Sequence, residues 1–297
     1  MDRSIAVSCV WRLAAELGEG PLWWQEALWF TDIKRQRLHR FDPAGGERRS
    51  WPAPSPIGFL APRSNGHFIA GAKHGLMDFD PQTGDFTLLR AIEPDRPGNR
   101  LNDGAVDPYG RLWFGSMDNG ESEPTGVLYR FAHGELAPMD RGYVIPNGPA
   151  FSPDGTRLYH TDTVAWRIYV FDLGPDGSLS NKRLLVEIEK EAGHPDGLTS
   201  DSEGCLWTGL FGGWAVRRHS PEGQLLQTVS FPVANVTKIA FGGPDLQTAY
   251  ATTAAKDLSK AELAEQPLAG GLFSFAAPAP GLPTRAVAEN ESKVRSV

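Results

Sequence analysis

A short segment recurs six times along the 297-residue chain: a turn cluster, a small or polar residue, then a strand-like stretch with an aromatic at its second or third position. The copies read ALWF (27–30), HFIA (67–70), RLWF (111–114), RLYH (157–160), CLWT (205–208) and TAYA (248–251). Their aromatics, Trp29, Phe68, Trp113, Tyr159, Trp207 and Tyr250, follow one another at steps of 39, 45, 46, 48 and 43 residues. A period in the forties is the length of four short strands with their turns. It marks one blade of a propeller, and six units make six blades. A β-sandwich with many hairpins shares the strand content but imposes no such period.

Each unit continues into a further strand that ends in a new turn, as in LHRFDPAGG (38–46), LMDFDPQTG (76–84) and IYVFDLGPDG (168–177). The first-hairpin turns include DPYG (107–110), SPDG (152–155) and DSEG (201–204), where Gly accepts left-handed geometry and, where present, Pro fixes φ. The expected fold is all-β: one six-bladed propeller over 1–297, with four antiparallel strands per blade. The last unit lacks a fourth strand, while SCVWRL precedes the first. Residues 5 to 13 are therefore expected to complete the sixth blade and close the ring, removing exposed sheet edges. The single helix expected lies in KDLSKAELAEQ (256–266), with Ser259 as N-cap and Glu262 completing a capping box.

Composition excludes several functions. A net charge of −7, with Lys and Arg scattered, argues against a nucleic-acid partner. No apolar run approaches the roughly 18 residues of a membrane span, and the N-terminal apolar stretch is too short for a signal peptide, so a cytoplasmic location is expected. Cys9 and Cys205 are far apart and lack CxxC spacing, which indicates neither a zinc site nor a disulfide scaffold. No GxSxG elbow, GxGxxG or Walker pattern occurs, which leaves serine-hydrolase, dinucleotide and P-loop chemistry unsupported.

In a propeller the first strand of every blade lines the central channel, so its opening residues converge on one axis. Reading that position round the ring gives Glu19 in GEGP, Ile57, Gly58 and Phe59 without a donor, Arg100 to Gly104 in RLNDG, Asn147 in NGP, Asp196 in PDG, and Thr237 with Lys238. Four of six blades place an oxygen-bearing side chain just before Gly. A lone Asn-Gly or Asp-Gly pair is ordinarily a turn, but turn residues have no reason to share one register in distant repeats. Carboxylates crowded into one channel repel unless a cation neutralises them. Two carboxylates and a carboxamide form a hard oxygen site suited to Ca²⁺, Mg²⁺ or Mn²⁺. His194, beside Asp196, reads as a turn residue near the channel, and Phe211 and Trp214 read as core aromatics or pocket walls.

With these residues the chain resembles the SMP-30/gluconolactonase/regucalcin family of six-bladed propeller lactonases. The resemblance runs through LGEGPLW (17–23), NRLNDGAVDPYGRLWFGSM (99–117), PNGPAFSPDGTRLYHTDT (146–163), PDGLTSDSEGCLW (195–207) and VTKIAFGGPDLQTAYATTA (236–254). Within the family it is similar to bacterial sugar-acid lactonases such as xylonolactonase, with SNKR (180–183) and PLAGGLF (267–273) adding to that likeness. The resemblance implies one divalent cation (Ca, Mg, Mn, Zn or Fe(II)) held by Glu19, Asn147 and Asp196. It implies substrate contacts from Arg100 and Asn102, and from either Asp118 or Glu121 in the short segment GSMDNGESEPTG (115–126). Asp196 is the implied general base in hydrolysis of an aldonolactone to its sugar acid, with a hydroxide carried by the cation as the competing candidate. The expected partner is thus a small sugar lactone, pentono- or hexonolactone, taken by a monomer or weak oligomer. Two alternatives stand beside it: a non-enzymatic calcium-binding protein, and a paraoxonase-like esterase with two calcium sites.

Overall fold

The computed structural model describes residues 5–288. Its strands form six four-stranded antiparallel sheets, five of them built from consecutive strands. The innermost strands are Gly18–Trp24, Ile57–Pro62, Asn99–Val106, Pro146–Phe151, His194–Ser200 and Val236–Gly242. Each of these touches the inner strand of the next blade, and the sixth touches the first, so they enclose a channel. The sixth sheet is composite. Its outermost strand is the N-terminal Ser8–Trp11, which pairs with Leu272–Ala276 in the register Ser8 to Ser274. Closure by the N-terminal strand is therefore as the sequence implied, over four residues rather than the whole of 5 to 13.

Why this sequence folds as a ring follows from where its apolar residues point. Successive strand side chains face opposite sides of a sheet, and each blade here is covered on both sides by its neighbours. Six apolar clusters fill the six junctions. Leu22, Trp29 and Trp51 meet Ile57, Phe68 and Phe79 between blades one and two, and Trp207, Val216 and Val229 meet Phe241, Phe273 and Phe275 between blades five and six. All six marker aromatics are buried in second strands. In blades three and five the marker also ties down its hairpin. Trp113 Nε1 donates to Asp107 at 2.9 Å and Trp207 Nε1 to Asp201 at 2.9 Å. The same aspartates accept backbone N–H groups of their own turns. A buried acid at the turn and an indole six residues on thus form one unit, which is why they recur together.

The helix is shorter than its sequence segment: Lys260–Glu265, with Ser259 Oγ accepting from Glu262 N–H and the capping box complete. A 3₁₀ turn, Lys190–Ala192, leads into the inner strand of blade five. No helix of the described residues is long and apolar enough to cross a membrane. Both cysteines are free.

Candidate active site

Every inner strand opens with the same irregularity. Its pairing to the second strand slips between Glu19 and Leu22, Ile57 and Phe59, Leu101 and Gly104, Asn147 and Ala150, Pro195 and Leu198, and Val236 and Lys238. A bulge bends a strand and re-aims its side chains. Repeated six times at one depth, it turns the opening residues toward the axis. Glycine is needed there because neighbouring strands crowd together. A Cβ on Gly20 would lie 2.6 Å from the Gly58 carbonyl oxygen, and one on Gly58 would lie 1.7 Å from the Asn102 carbonyl oxygen. Gly20 and Gly148 also have positive φ, 56° and 80°.

The bulged ends surround a cavity of about 250 Å³ lined by Glu19, Arg100, Asn102, Glu121, Asn147 and Asp196 together with Thr163, His194, Phe211 and Lys256. The structure thus brings together three donors separated by 177 positions in sequence, from Glu19 to Asp196. Asn147 and Glu19 are 1 % and 5 % exposed, while Asp196 is partly open to the cavity. Asn147 is clamped: its Nδ2 donates to Thr163 Oγ1 at 2.9 Å, and its Oδ1 accepts from Asn102 Nδ2 at 3.0 Å. Asn102 Nδ2 also reaches the Pro146 carbonyl at 2.9 Å, and Asn102 Oδ1 accepts from Arg100 Nη1 at 2.7 Å. The RLN segment of blade three therefore holds the carboxamide of blade four in place, a job the sequence reading assigned only to substrate.

Charge decides what the cavity wants. Burial, reinforced by the neighbouring Asp103, pushes the Glu19 carboxyl up to about 8. Burial and then the charges of Glu19 and Asp103 push Asp196 well above the usual carboxylate range. Buried like charges without a counter-ion favour protonation. The donor set fits a divalent cation on these grounds: two mutually repelling carboxylates and an oriented carboxamide line one pocket. Among the described residues no three His, Cys, Asp or Glu side chains cluster for a metal, and the present set differs by counting an amide oxygen. Three buried histidines do not compete. His39, His160 and His219 are buried, which pushes them down to about 4, 3 and 4, and none of them lines the cavity.

Several expectations are refined here. Glu121 lines the cavity, whereas the Asp118 carboxylate accepts from the backbone of Gly120, Ser122 and Glu123 and shapes the 118–123 loop. His194 is not a turn residue. It lies in the inner strand of blade five, lines the cavity, and packs against Trp166 with ring centroids 4.4 Å apart. Phe211 is a wall, but Trp214 is neither wall nor core: it sits 45 % exposed at a hairpin tip with φ 58°.

The partners of two cations escaped the sequence reading, which placed Lys238 at the channel without a role and did not name Lys256. Lys238, at the blade-six position where other blades carry oxygen donors, crosses the channel to Asp103 of blade three, with Nζ 2.6 Å from Oδ1. Both are almost fully buried. Asp103 Oδ2 accepts from Gly148 N–H at 2.9 Å, next to Asn147. This pair floors the site, and the stem of Lys238 lies where a Cβ on Gly197 would stand. Asp103, a further carboxylate of the channel, thus has a fixed ammonium of its own. Nearer solvent, Lys256 of blade six reaches Glu121 of blade three at 2.8 Å. A lysine where its repeats carry Asn or Asp was the available signal for the first. Nothing in the local sequence marked the second.

Comparison with known proteins places this geometry. Residues 17–255 match the family described as SMP-30/Gluconolactonase/LRE-like region. The chain is 37 % identical over 281 residues to a 6-deoxy-6-sulfogluconolactonase of Pseudomonas putida, covering 93 % of this chain and 96 % of that protein. It is 32 % identical over 284 residues to regucalcin of Xenopus laevis, covering 92 % and 94 %. Among solved structures, a regucalcin from Agrobacterium tumefaciens, described as a calcium-binding protein, superposes with a TM-score of 0.92 at 29 % identity over 96 % of this chain and 98 % of that one.

Proposed function

The chain belongs to the SMP-30/gluconolactonase/LRE-like family, and from that premise we propose that it hydrolyses a sugar aldonolactone to the aldonic acid, with one divalent cation held by Glu19, Asn147 and Asp196. The observation that carries this reading is the convergence of those three donors with Arg100 and Asn102 in one cavity. Its volume of about 250 Å³ lies below the range typical of drug-sized ligands and suits a single sugar ring. The names of the relatives support a lactone as the scissile group. Two free cysteines suit a reducing, cytoplasmic setting.

The roles follow from position. When bound, the cation supplies a Lewis acid that polarises the lactone carbonyl oxygen. Asp196, partly open to the cavity, accepts a proton from water as the water oxygen bonds to the carbonyl carbon. The bond from that carbon to the ring oxygen then breaks, and the proton passes from Asp196 to the departing hydroxyl. Arg100 lines the cavity beside these donors and donates to an oxygen of the substrate. Asn102 holds Asn147 and lines the same wall, and Glu121 accepts from sugar hydroxyls. The protein stripped with chelator is expected to lose lactonase activity and regain it when single cations are restored, measured as acid release from a panel of pentono- and hexonolactones. Full activity after stripping, or none on any lactone with any cation, would refute the reading.

A further inference from the structure

On the solvent side of the cavity Glu121, already assigned to the sugar hydroxyls, joins an ion cluster whose other members have no part in the steps above. Lys256 Nζ lies 2.8 Å from Glu121 Oε2 and 3.1 Å from Asp257 Oδ2. The lysine is fixed by its backbone. Its N–H donates to the Glu16 carbonyl at 2.8 Å, its own carbonyl accepts from Asn235 Nδ2 at 2.8 Å, and its ammonium stands 5.7 Å from the Phe211 ring centre. Glu121 and Asp257 both hold left-handed backbone, φ 59° and 64°, a conformation that costs free energy in residues with a Cβ and persists where surroundings enforce it. Two acids share one lysine, so the cluster is net negative. Asp257 remains 66 % exposed at its outer edge.

Deeper in, the other cation of the lining is Arg100, 3 % exposed, which donates to the Leu101 carbonyl and Asn102 Oδ1 and faces Glu121, Glu19 and Asp196. The lining therefore holds four carboxylates (Glu19, Glu121, Asp196, Asp257) against two cations, and one divalent ion makes it neutral. The lining as a whole then has no net positive charge to offer an anionic substituent, and its negative excess lies at the solvent edge. Specificity of this kind comes as much from repelling the wrong ligand as from attracting the right one.

We infer that Lys256, Glu121 and Asp257 form a charge filter that makes this site select uncharged polyhydroxy lactones over lactones bearing a phosphate, sulfonate or carboxylate on the side chain. The inference rests on the lactonase reading and adds residues that set its specificity. A fixed negative edge raises the free energy of an approaching anion, and salt screens that effect because the edge is exposed.

The test compares kcat/KM of the cation-loaded enzyme for a hexonolactone and for the same lactone carrying a terminal phosphate or sulfonate. The uncharged lactone is expected to be favoured by about tenfold or more at low ionic strength, the scale of one unit-charge repulsion between partly exposed groups. Raising the salt, or substituting Asp257→Asn, is expected to narrow the gap several-fold, a response that loss of packing alone does not produce. Equal or better turnover of the anionic lactone would overturn the filter while leaving the lactonase intact. A preference unmoved by salt and by Asp257→Asn would overturn it as well. Turnover of neither lactone would overturn the lactonase reading and this inference with it.

Discussion

Replacing Asp196 with alanine is expected to lower kcat on any lactone substrate by about 10⁴-fold, at the upper end of what a general base contributes, because one side chain serves two ends. It is the acid best placed to take the proton of water, and it is one of the three oxygen donors for the cation. Its surroundings show why no neighbour can stand in. Glu19 is buried with one oxygen accepting from Gly20 N–H at 2.6 Å, Glu121 is engaged with Lys256, and Asp103 with Lys238. Asp196→Asn separates the roles, since it keeps an oxygen donor but removes the base. The alanine variant is expected to unfold at or near the wild-type temperature, because the substitution relieves a carboxylate crowded by Glu19 and Asp103. Steady-state rates at saturating cation decide the matter. A variant with near wild-type kcat would remove Asp196 from the chemistry.

The second large effect concerns stability. Lys238→Met keeps the length of the side chain that fills the space beside Gly197 and deletes only its charge. Asp103 is then left in the channel as a buried, uncompensated carboxylate. Breaking a buried pair from one side typically costs about 3–5 kcal/mol, which for a domain of this size corresponds to a fall of roughly 5–8 °C in Tm. Adding Asp103→Asn to Lys238→Met is expected to restore most of the loss, because the penalty belongs to the orphaned charge and not to the missing contact. Chemical unfolding of the two single variants and the double variant measures this coupling. Strictly additive losses would show that the ion pair does not act as a unit.

How much of this was legible in the sequence differs between fold and site. The propeller was readable because its repeats are enforced by geometry. Each blade needs a buried aromatic in its second strand and a hairpin turn before it, and Trp113 and Trp207 even bond to those turns. Closure by the N-terminal strand followed from a missing fourth strand in the last unit. The three oxygen donors were readable for a related reason: the bulge recurs at one depth, so Glu19, Asn147 and Asp196 keep one register. What escaped were interactions across the axis. Lys238 with Asp103, and Lys256 with Glu121, join opposite blades through residues 135 positions apart, and no local pattern announces such a pair. The choice between Asp118 and Glu121 was hidden for the same reason. Both lie in one loop, and only folding shows that Asp118 holds the loop's own N–H groups while Glu121 meets a lysine from blade six. Trp214 misled because aromatic residues usually mark interior, yet its left-handed backbone places it on a hairpin tip.

The claim on which all of this depends is that oxygen donors from three blades hold a single cation at the end of the channel. Calorimetric titration of chelator-stripped protein with divalent cations tests it most directly. The wild-type chain is expected to bind one ion, and Glu19→Gln and Asn147→Ala are each expected to weaken that binding by at least about tenfold, roughly 1.4 kcal/mol. An isotherm showing no ion bound, or one left unchanged by both substitutions, would contradict the account.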